Sequence, residues 1–446
     1  MQKLTILLLG LALLLASSVA SSDDKDHKRK GLNAQAKQEL VDAGVSKYVG
    51  QFTPAFSSDA GQGWTKHTYA PDPFVGPICI AGTPYSVFTK VRNPKKLLVF
   101  LQGGGACWQD FYNCNVVVEH PSQEPPPPPV GLWVEDSFSP TVGEVDNPLD
   151  DWSVVYMPYC DGSVFSGDNT VFDLNWQAFI EAALGLPPGA GPPVRFHRGL
   201  QNVTAGVDVA KSMFPKASKI LVAGSSAGGV GAAGFAPFLV RMAFGDKRKL
   251  AVFNDAGPVA INPLDVANIL ARANDWLFGQ FYPASCDDCD ATGGQGTAII
   301  KWRLDNDSTV RESFYSTDGD TTNRFFLNVP TQELYRELIV SEHGKLNAAH
   351  PSRYKRFIRS GSTVHTALQN DLYYIGLANG VPLNEWVEDF IKFKGHEPDD
   401  NHKKKSKKKS KKKSKKKSKK KSKKKSKKKK KLKGWVDIVE DFVPVP

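Results

Sequence analysis

The stretch KILVAGSSAGGVGAAGF, Lys219 to Phe235, decides the fold. Its residues Ile220 to Ala223 form the short unbroken apolar run of a strand buried on both faces of a parallel sheet. Gly224-Ser225-Ser226-Ala227-Gly228 follows at once and fits G-x-S-x-G, with Ser226 at its centre. A run of small residues then continues in a form that a helix can adopt. Strand, sharp turn and helix are the context of a nucleophile elbow, where backbone strain at the serine lifts its hydroxyl clear of the sheet. The Ala227 N–H, at the start of that helix, is suited to binding a developing oxyanion. A glycine-serine turn alone would be an ordinary loop, so the reading depends on what flanks it.

Upstream, Lys95-Lys96 lead into LLVFL, residues 97 to 101, a second buried strand. Gln102-Gly103-Gly104-Gly105-Ala106 follows directly, and glycine permits backbone conformations that aim N–H groups into a cavity. A loop after an earlier strand is where an elbow enzyme finds its second oxyanion donor, which makes Gly104 or Gly105 the donor here. WSVVYMPY, Trp152 to Tyr159, is another strand and runs into CDGSVFSGD, residues 160 to 168. That polar loop is suited to lining a site, with Asp161 and Gly162 as the substrate-lining candidates.

Gly199 to Phe214 has helical spacing and ends at Phe214-Pro215. Leu250 to Asn254 reads as the strand after the elbow helix, with Asp255 at its end in NDAGP. Thr309 to Ser316 leads to Asp318-Gly319-Asp320, and Tyr354 to Ile358 is the last strand, linked by Ser360 to Val364 to His365. Alternating strands and helices predict an α/β fold with a mostly parallel sheet flanked by helices. The order Ser226, an aspartate, then His365 is that of α/β-hydrolase triads. Among the other histidines, His197 precedes the elbow, and His343 and His350 are expected to flank a polar turn. Nearer the start, Ala34 to Ala43 reads as a short helix capped by Asn33, and the first sheet material is expected at Cys79 to Phe88. Pro121 to Pro129 contains five consecutive prolines and reads as a surface insertion in polyproline II form.

Residues 1 to 20 carry a lysine, an apolar run and a small-residue end, the pattern of a secretory signal peptide cleaved after Ala20. The expected location is therefore extracellular, in association with a cell wall, with no transmembrane span in the mature chain. Six cysteines then suggest three disulfides. Cys107 and Cys114 are close enough to pair. Cys286 and Cys289 form a C-x-x-C that lacks the second pair a zinc site needs, so a local disulfide is expected. Cys79 and Cys160 pair by elimination. Asn202 and Asn306 head glycosylation sequons.

The formal charge of +12 conceals two opposed parts. Residues 403 to 433 hold 24 lysines in KKKS repeats, and without them 34 basic residues face 46 acidic ones. The body is thus acidic and the appended run strongly cationic, an electrostatic footprint for polyanions. The expected organisation is a signal peptide over 1–20, one hydrolase domain over 21–400, and a disordered lysine-rich tail over 401–446.

Several stretches together resemble the pectin acetylesterase and Notum family of α/β-hydrolases. They are CIAGTP from Cys79, LLVFLQGGGAC from Leu97, YCDGSVFSGD from Tyr159, GSSAGG from Gly224 and NDAG from Asn254. The resemblance covers roughly residues 74 to 370. It implies Ser226 as nucleophile, the Gly104–Gly105 region and Ala227 as oxyanion donors, and His365 as the base. The family's acid lies in D-x-x-Q, for which Asp320-Thr321-Thr322-Asn323 is the nearest fit. Its final Asn leaves Asp318 and Asp255 as alternatives. A second departure is Ser225, where the family usually has Cys, and the lysine run has no family counterpart.

The resulting expectation is a cofactor-free and metal-free serine carboxylesterase acting on O-acyl, chiefly acetyl, esters of pectin or another extracellular polysaccharide. Two alternatives stand beside it. One is an esterase that removes a lipid acyl group from a protein, the other substrate class of the family. The second is an inactive hydrolase scaffold that binds polyanions through the lysine run.

Overall fold

The computed structural model describes residues 31–114, 125, 127–393 and 434–445. The signal-peptide reading, the lysine run and most of the proline-rich insertion lie outside the described residues. The centre is a ten-stranded sheet. In chain order its strands are β1 (Phe56–Gly61), β2 (Trp64–Thr68), β3 (Ser86–Lys90), β4 (Asn93–Leu101), β5 (Trp152–Met157), β6 (Lys219–Ser225), β7 (Lys249–Asp255), β8 (Arg311–Thr317), β9 (Tyr354–Arg359) and β10 (Ile438–Val439). They lie in the order β1-β2-β3-β5-β4-β6-β7-β8-β9-β10. The first three run antiparallel to their neighbours, and from β5 onward every pairing is parallel.

The unbroken apolar runs follow from burial on both faces. Leu97, Val99, Leu101, Ile220, Val222, Leu250 and Val252 point into one core. Their alternates Leu98, Phe100, Leu221, Ala223, Ala251 and Phe253 point into the other. Helices α2 (Gly199–Met213) and α4 (Ala236–Phe244) cover the first face, and α8 (Leu383–Ile391) covers the second with Trp386 and Phe390. Between them in sequence come α3 (Ala227–Ala233), α5 (Val266–Trp276), α6 (Thr321–Phe326) and α7 (Gln332–Ala349), while α1 is Ala34–Asp42. Asn33 caps α1 as expected, accepting from Ala36 N at 2.8 Å. All three expected disulfides form: Cys79–Cys160, Cys107–Cys114 and Cys286–Cys289. No single helix among the described residues is long and apolar enough to cross a membrane.

Several expectations need correction. The sheet begins at Phe56, not Cys79; β1 is an exposed edge strand whose FSSDAG carries no apolar alternation to reveal it. Residues 79–85 form a turn closed by a bridge between Ile78 and Pro84, and the strand there starts at Ser86. His343 does not flank a turn. It is buried in α7, stacked 3.7 Å from Phe314, with Nδ1 2.6 Å from the Tyr354 hydroxyl. Asn202 is not available for glycosylation in the folded chain: it is fully buried in α2, and its amide bridges the Ile78 N–H (3.1 Å) and C=O (3.2 Å). Asn306 is half-buried at the end of a helix, where it donates to Trp302 O (2.9 Å) and accepts from Asn33 (2.7 Å).

The largest correction concerns the C-terminal end. β10 joins β9 through Phe357↔Ile438 and Ile358↔Val439. The Trp435 ring centroid lies 4.9 Å from that of Phe390, and Arg356 pairs with Asp437 at 2.7 Å. Residues 434–445 therefore belong to the same folded unit, which does not end at 400. The lysine-rich run is an internal connection between α8 and β10. Trp435, Val436 and Ile438 supply the apolar contacts that cover the last edge of the sheet, a short signal hidden beside so extreme a composition.

Truncation after Lys433 should expose the β9 edge and the Trp386–Phe390 surface. The cost is at least that of a large core truncation, about 3–5 kcal/mol, and should lower the thermal midpoint by about 5–15 °C. Excising residues 403–431 and rejoining the ends should leave the midpoint within about 2 °C, because both anchors remain. Circular dichroism melts of the two variants check this, and equal melts would refute the structural role of 434–445.

Candidate active site

Ser226 sits at the C-terminal end of β6 with φ 57° and ψ −122°, a backbone strain unusual for a residue with a side chain. Its N–H donates to Asp255 O at 2.8 Å, locking the turn against β7. The flanking glycines are sterically required. A Cβ on Gly228 would collide with the Leu101 carbonyl oxygen, and one on Gly224 with that of Gly228. The serine side chain is half-buried and opens onto two cavities. Ser225, by contrast, is buried and donates to Asp255 Oδ2 at 2.6 Å.

The three aspartates have distinct partners. Asp320 Oδ2 lies 2.7 Å from His365 Nδ1. It is also the N-cap of α6: Oδ1 accepts from Asn323 N (2.9 Å), and Oδ2 accepts from Asn323 Nδ2 (2.9 Å). The D-x-x-N spacing is thus a capping geometry in which the fourth residue also steadies the carboxylate. Asp318, two residues earlier, is spent on structure. It accepts from Gln332 Nε2 (2.8 Å), Arg336 Nη1 (2.8 Å) and Ser360 Oγ (2.5 Å). Gln332 in turn holds Val443 O (2.9 Å) and Val445 N (2.8 Å), so the C-terminal segment braces the turn that carries Asp320.

Asp255 accepts from Ser225 Oγ, Ala367 N (2.9 Å) and Leu368 N (3.0 Å). It fixes the backbone immediately after His365. Burial pushes its carboxyl up to about 6, against the pull of those three donors. His365 Nε2 has no hydrogen-bond partner among the described residues, and His365 lines a cleft of about 320 Å³ together with Ser226, Gly103, Gly104 and Gly105. The rest of its lining is Asn113, Ser225, Thr322, Thr366 and Gln369, with Phe326 as the aromatic side chain among them.

The glycine loop lies against the elbow. A Cβ on Gly103 would meet the Ser225 carbonyl oxygen at 2.8 Å, and Gly105 has φ 81° where it turns into the hairpin closed by Cys107–Cys114. Gly104, Gly105 and Ala227 thereby line the cavities onto which Ser226 opens. The second cavity, about 160 Å³, contains Ser226 and Ala227 but not His365. Its walls are apolar and include Trp108, Val164, Phe235, Trp276 and Phe278.

Asp161 and Gly162 line neither cavity. Asp161 is fully buried, and its carboxylate accepts from Ser163 N (2.9 Å), Ser163 Oγ (2.5 Å) and Phe165 N (3.2 Å). Burial raises its carboxyl to about 6. The loop's contribution to the cavity comes from Val164 and Ser166 instead, because Asp161 organises the turn that presents them. The sequence reading missed the role of Ser225 and the cavity walls contributed by α5. The first is signalled only by the register Ser225↔Asp255, and the second by nothing local.

Residues 67–259 match the model of the family described as Pectinacetylesterase. That span contains the glycine loop, the elbow and Asp255; Asp320 and His365 lie beyond it. No curated protein matches the chain.

The elevated Asp255 carboxyl predicts a pH dependence with a definite sign. Between the ordinary 3.8 and about 6, the folded protein keeps a proton that the unfolded chain releases. The stability linked to this group is complete below that range and is lost as pH rises through about 6, by about 3 kcal/mol. Asp161 acts in the same direction. The unfolding free energy of wild type minus that of Asp255→Asn should therefore fall from about pH 4 to about pH 6.5 and then level. Urea melts across that range test it, and a flat difference refutes it.

Proposed function

Since the chain belongs, through residues 67–259, to the pectinacetylesterase family, we propose that it is a secreted serine esterase that removes acetyl groups from a pectin-like or other extracellular polysaccharide. The observation that carries the reading is His365. Its Nδ1 is held by Asp320 at 2.7 Å while its Nε2 is unpartnered in the cleft it shares with Ser226. Three disulfides suit an oxidising compartment.

In this reading His365 Nε2 takes the proton of Ser226 Oγ as the oxygen attacks the acyl carbon. The negative charge on the carbonyl oxygen is received by the Ala227 N–H and by Gly104 or Gly105. His365 then gives its proton to the departing alcohol, and water repeats the sequence to free the acid. Asp320 keeps the imidazole in the productive tautomer and stabilises the imidazolium. The alcohol must leave beside His365, and the hydroxyl and amide side chains of that cleft suit a sugar. The apolar cavity on the other side favours a second reading, in which the acyl group is larger than acetyl, including a lipid chain on a protein.

Ser226→Ala should lose several orders of magnitude in turnover on p-nitrophenyl acetate while keeping its fold. Asp320→Asn should be nearly as damaging, whereas Asp318→Asn should act chiefly on stability. A fluorophosphonate probe should label Ser226 in the wild-type protein. Absence of labelling would favour the inactive-scaffold alternative, and normal turnover by Ser226→Ala would overturn the assignment. A panel of esters of increasing acyl length separates the acetyl reading from the lipid one.

The 24 lysines would tether the acidic body to a polyanionic surface by releasing counterions. Binding to de-esterified pectin should weaken steeply with salt, since exposed charges are screened beyond about 10 Å at 0.1 M. The comparison to make is co-sedimentation of the full chain against the excision of residues 403–431, which keeps β10. Equal or salt-indifferent binding would refute the tether.

A further inference from the structure

The two cavities divide the substrate between them. The alcohol needs a proton from His365, so it occupies the cleft that His365 lines, and the acyl group occupies the apolar cavity reached from Ser226 and Ala227. An acetyl methyl group would fill only the entrance. Trp108 lies three residues along the hairpin from Gly105, about 10 Å at the rise of an extended strand. The cavity therefore runs well past the reacting carbon.

One cation stands in that apolar wall. Arg272, from α5, places its guanidinium carbon 5.1 Å from the centroid of the Trp108 ring. None of the hydrogen bonds or ion pairs among the described residues involves it. Burial lowers its pKa, and the nearby charge of Asp265 opposes that shift. Asp265 makes no direct pair with it; both of its oxygens accept from Asn268 Nδ2 (3.0 and 3.1 Å). Asp290 also lines the cavity, with Oδ1 occupied by Thr292 N (2.8 Å) and Thr292 Oγ1 (2.7 Å). A guanidinium has five donors in a fixed fork that matches a carboxylate, and leaving it half-buried without an acceptor is costly. The cation–π contact with Trp108 offsets part of that cost.

We propose that Arg272 is a specificity-determining residue that receives an anionic terminus on the acyl group, so that the enzyme accepts half-esters of dicarboxylic acids. The inference rests on the esterase reading above. Ser226 Oγ bonds to the ester carbonyl carbon, the alcohol leaves with the proton from His365, and water releases the free dicarboxylate. The terminal carboxylate stays ionised and unreacted at Arg272 throughout.

The test uses the full chain and two chromogenic esters of equal chain length, p-nitrophenyl hemiadipate and p-nitrophenyl hexanoate. The readout is the ratio of their kcat/KM values. Wild type should favour the hemiadipate. Arg272→Met should lower the ratio roughly 10- to 100-fold, the range for a charge-assisted hydrogen bond. Asp290→Asn should raise the ratio by removing a like charge, and Arg272→Lys should restore part of it. A ratio unchanged in Arg272→Met, with fluorophosphonate labelling of Ser226 intact, overturns the proposal and leaves the esterase reading standing. Loss of labelling and of p-nitrophenyl acetate hydrolysis in the wild-type protein overturns both. Should Arg272→Met fail to fold, free adipate decides on the wild-type enzyme. It must inhibit hexanoate hydrolysis competitively and lose potency with salt, and no inhibition refutes the site.

Discussion

A single buried carboxylate, Asp255, joins the two halves of the site. Ser225 donates to it from the position before Ser226, while Ala367 and Leu368 donate from the segment that follows His365. These segments are more than a hundred positions apart in sequence: the register of β6 and β7 sets Ser225 opposite Asp255, and the loop after β9 returns to the same carboxylate. Three donors converging on one ionised acceptor in a dry interior make a strong but all-or-none arrangement. Remove the carboxyl group and both the elbow and the histidine loop lose a common anchor. Asp255 thus orders the neighbours of both Ser226 and His365 without lying on the cleft itself.

The sheet core and the elbow were legible in sequence for a clear reason. Buried parallel strands demand unbroken apolar runs, and a strained turn packed against a neighbouring strand admits only glycine on either side. Both constraints are local, so LLVFL, KILVAG and G-x-S-x-G declare themselves. The choice among Asp255, Asp318 and Asp320 was harder, because all three sit at strand ends and differ only in what they face. The spacing from Asp320 to Asn323 distinguishes it, since it is an N-cap that leaves one oxygen directed at His365. Asp161 misled because a polar residue in a polar loop looks available, whereas it is fully buried and its Oδ2 receives three donors from its own turn. Asn202 misled in the same way: a sequon records residue types and says nothing of burial. The edge strand β1 and the short β10 had no apolar alternation long enough to be read.

The brace behind Asp320 shows how the fold spends its remaining buried charge. Asp318, Gln332, Arg336 and Ser360 share a network that ends on the backbone of residues 440 to 445. The turn bearing Asp320 is therefore held from behind by residues 440–445. Its geometry depends on the sheet being completed at β10, so the site is finished only when the far edge is closed.

That closure changes the kind of object the lysine run is. A charged terminus can be clipped away by a protease, and the rest of the molecule would not register the loss. Here both ends of the run are sewn into the body, at α8 and at β10. A cut anywhere within it leaves a nicked, two-piece protein whose smaller piece is retained by the β9 pairing, the Arg356–Asp437 ion pair and the Trp435 stack. Each piece keeps its share of the lysines. Wherever proteases reach the protein, the cationic charge would survive the first cleavage, and shedding it would require peeling a strand from the sheet or a second cut.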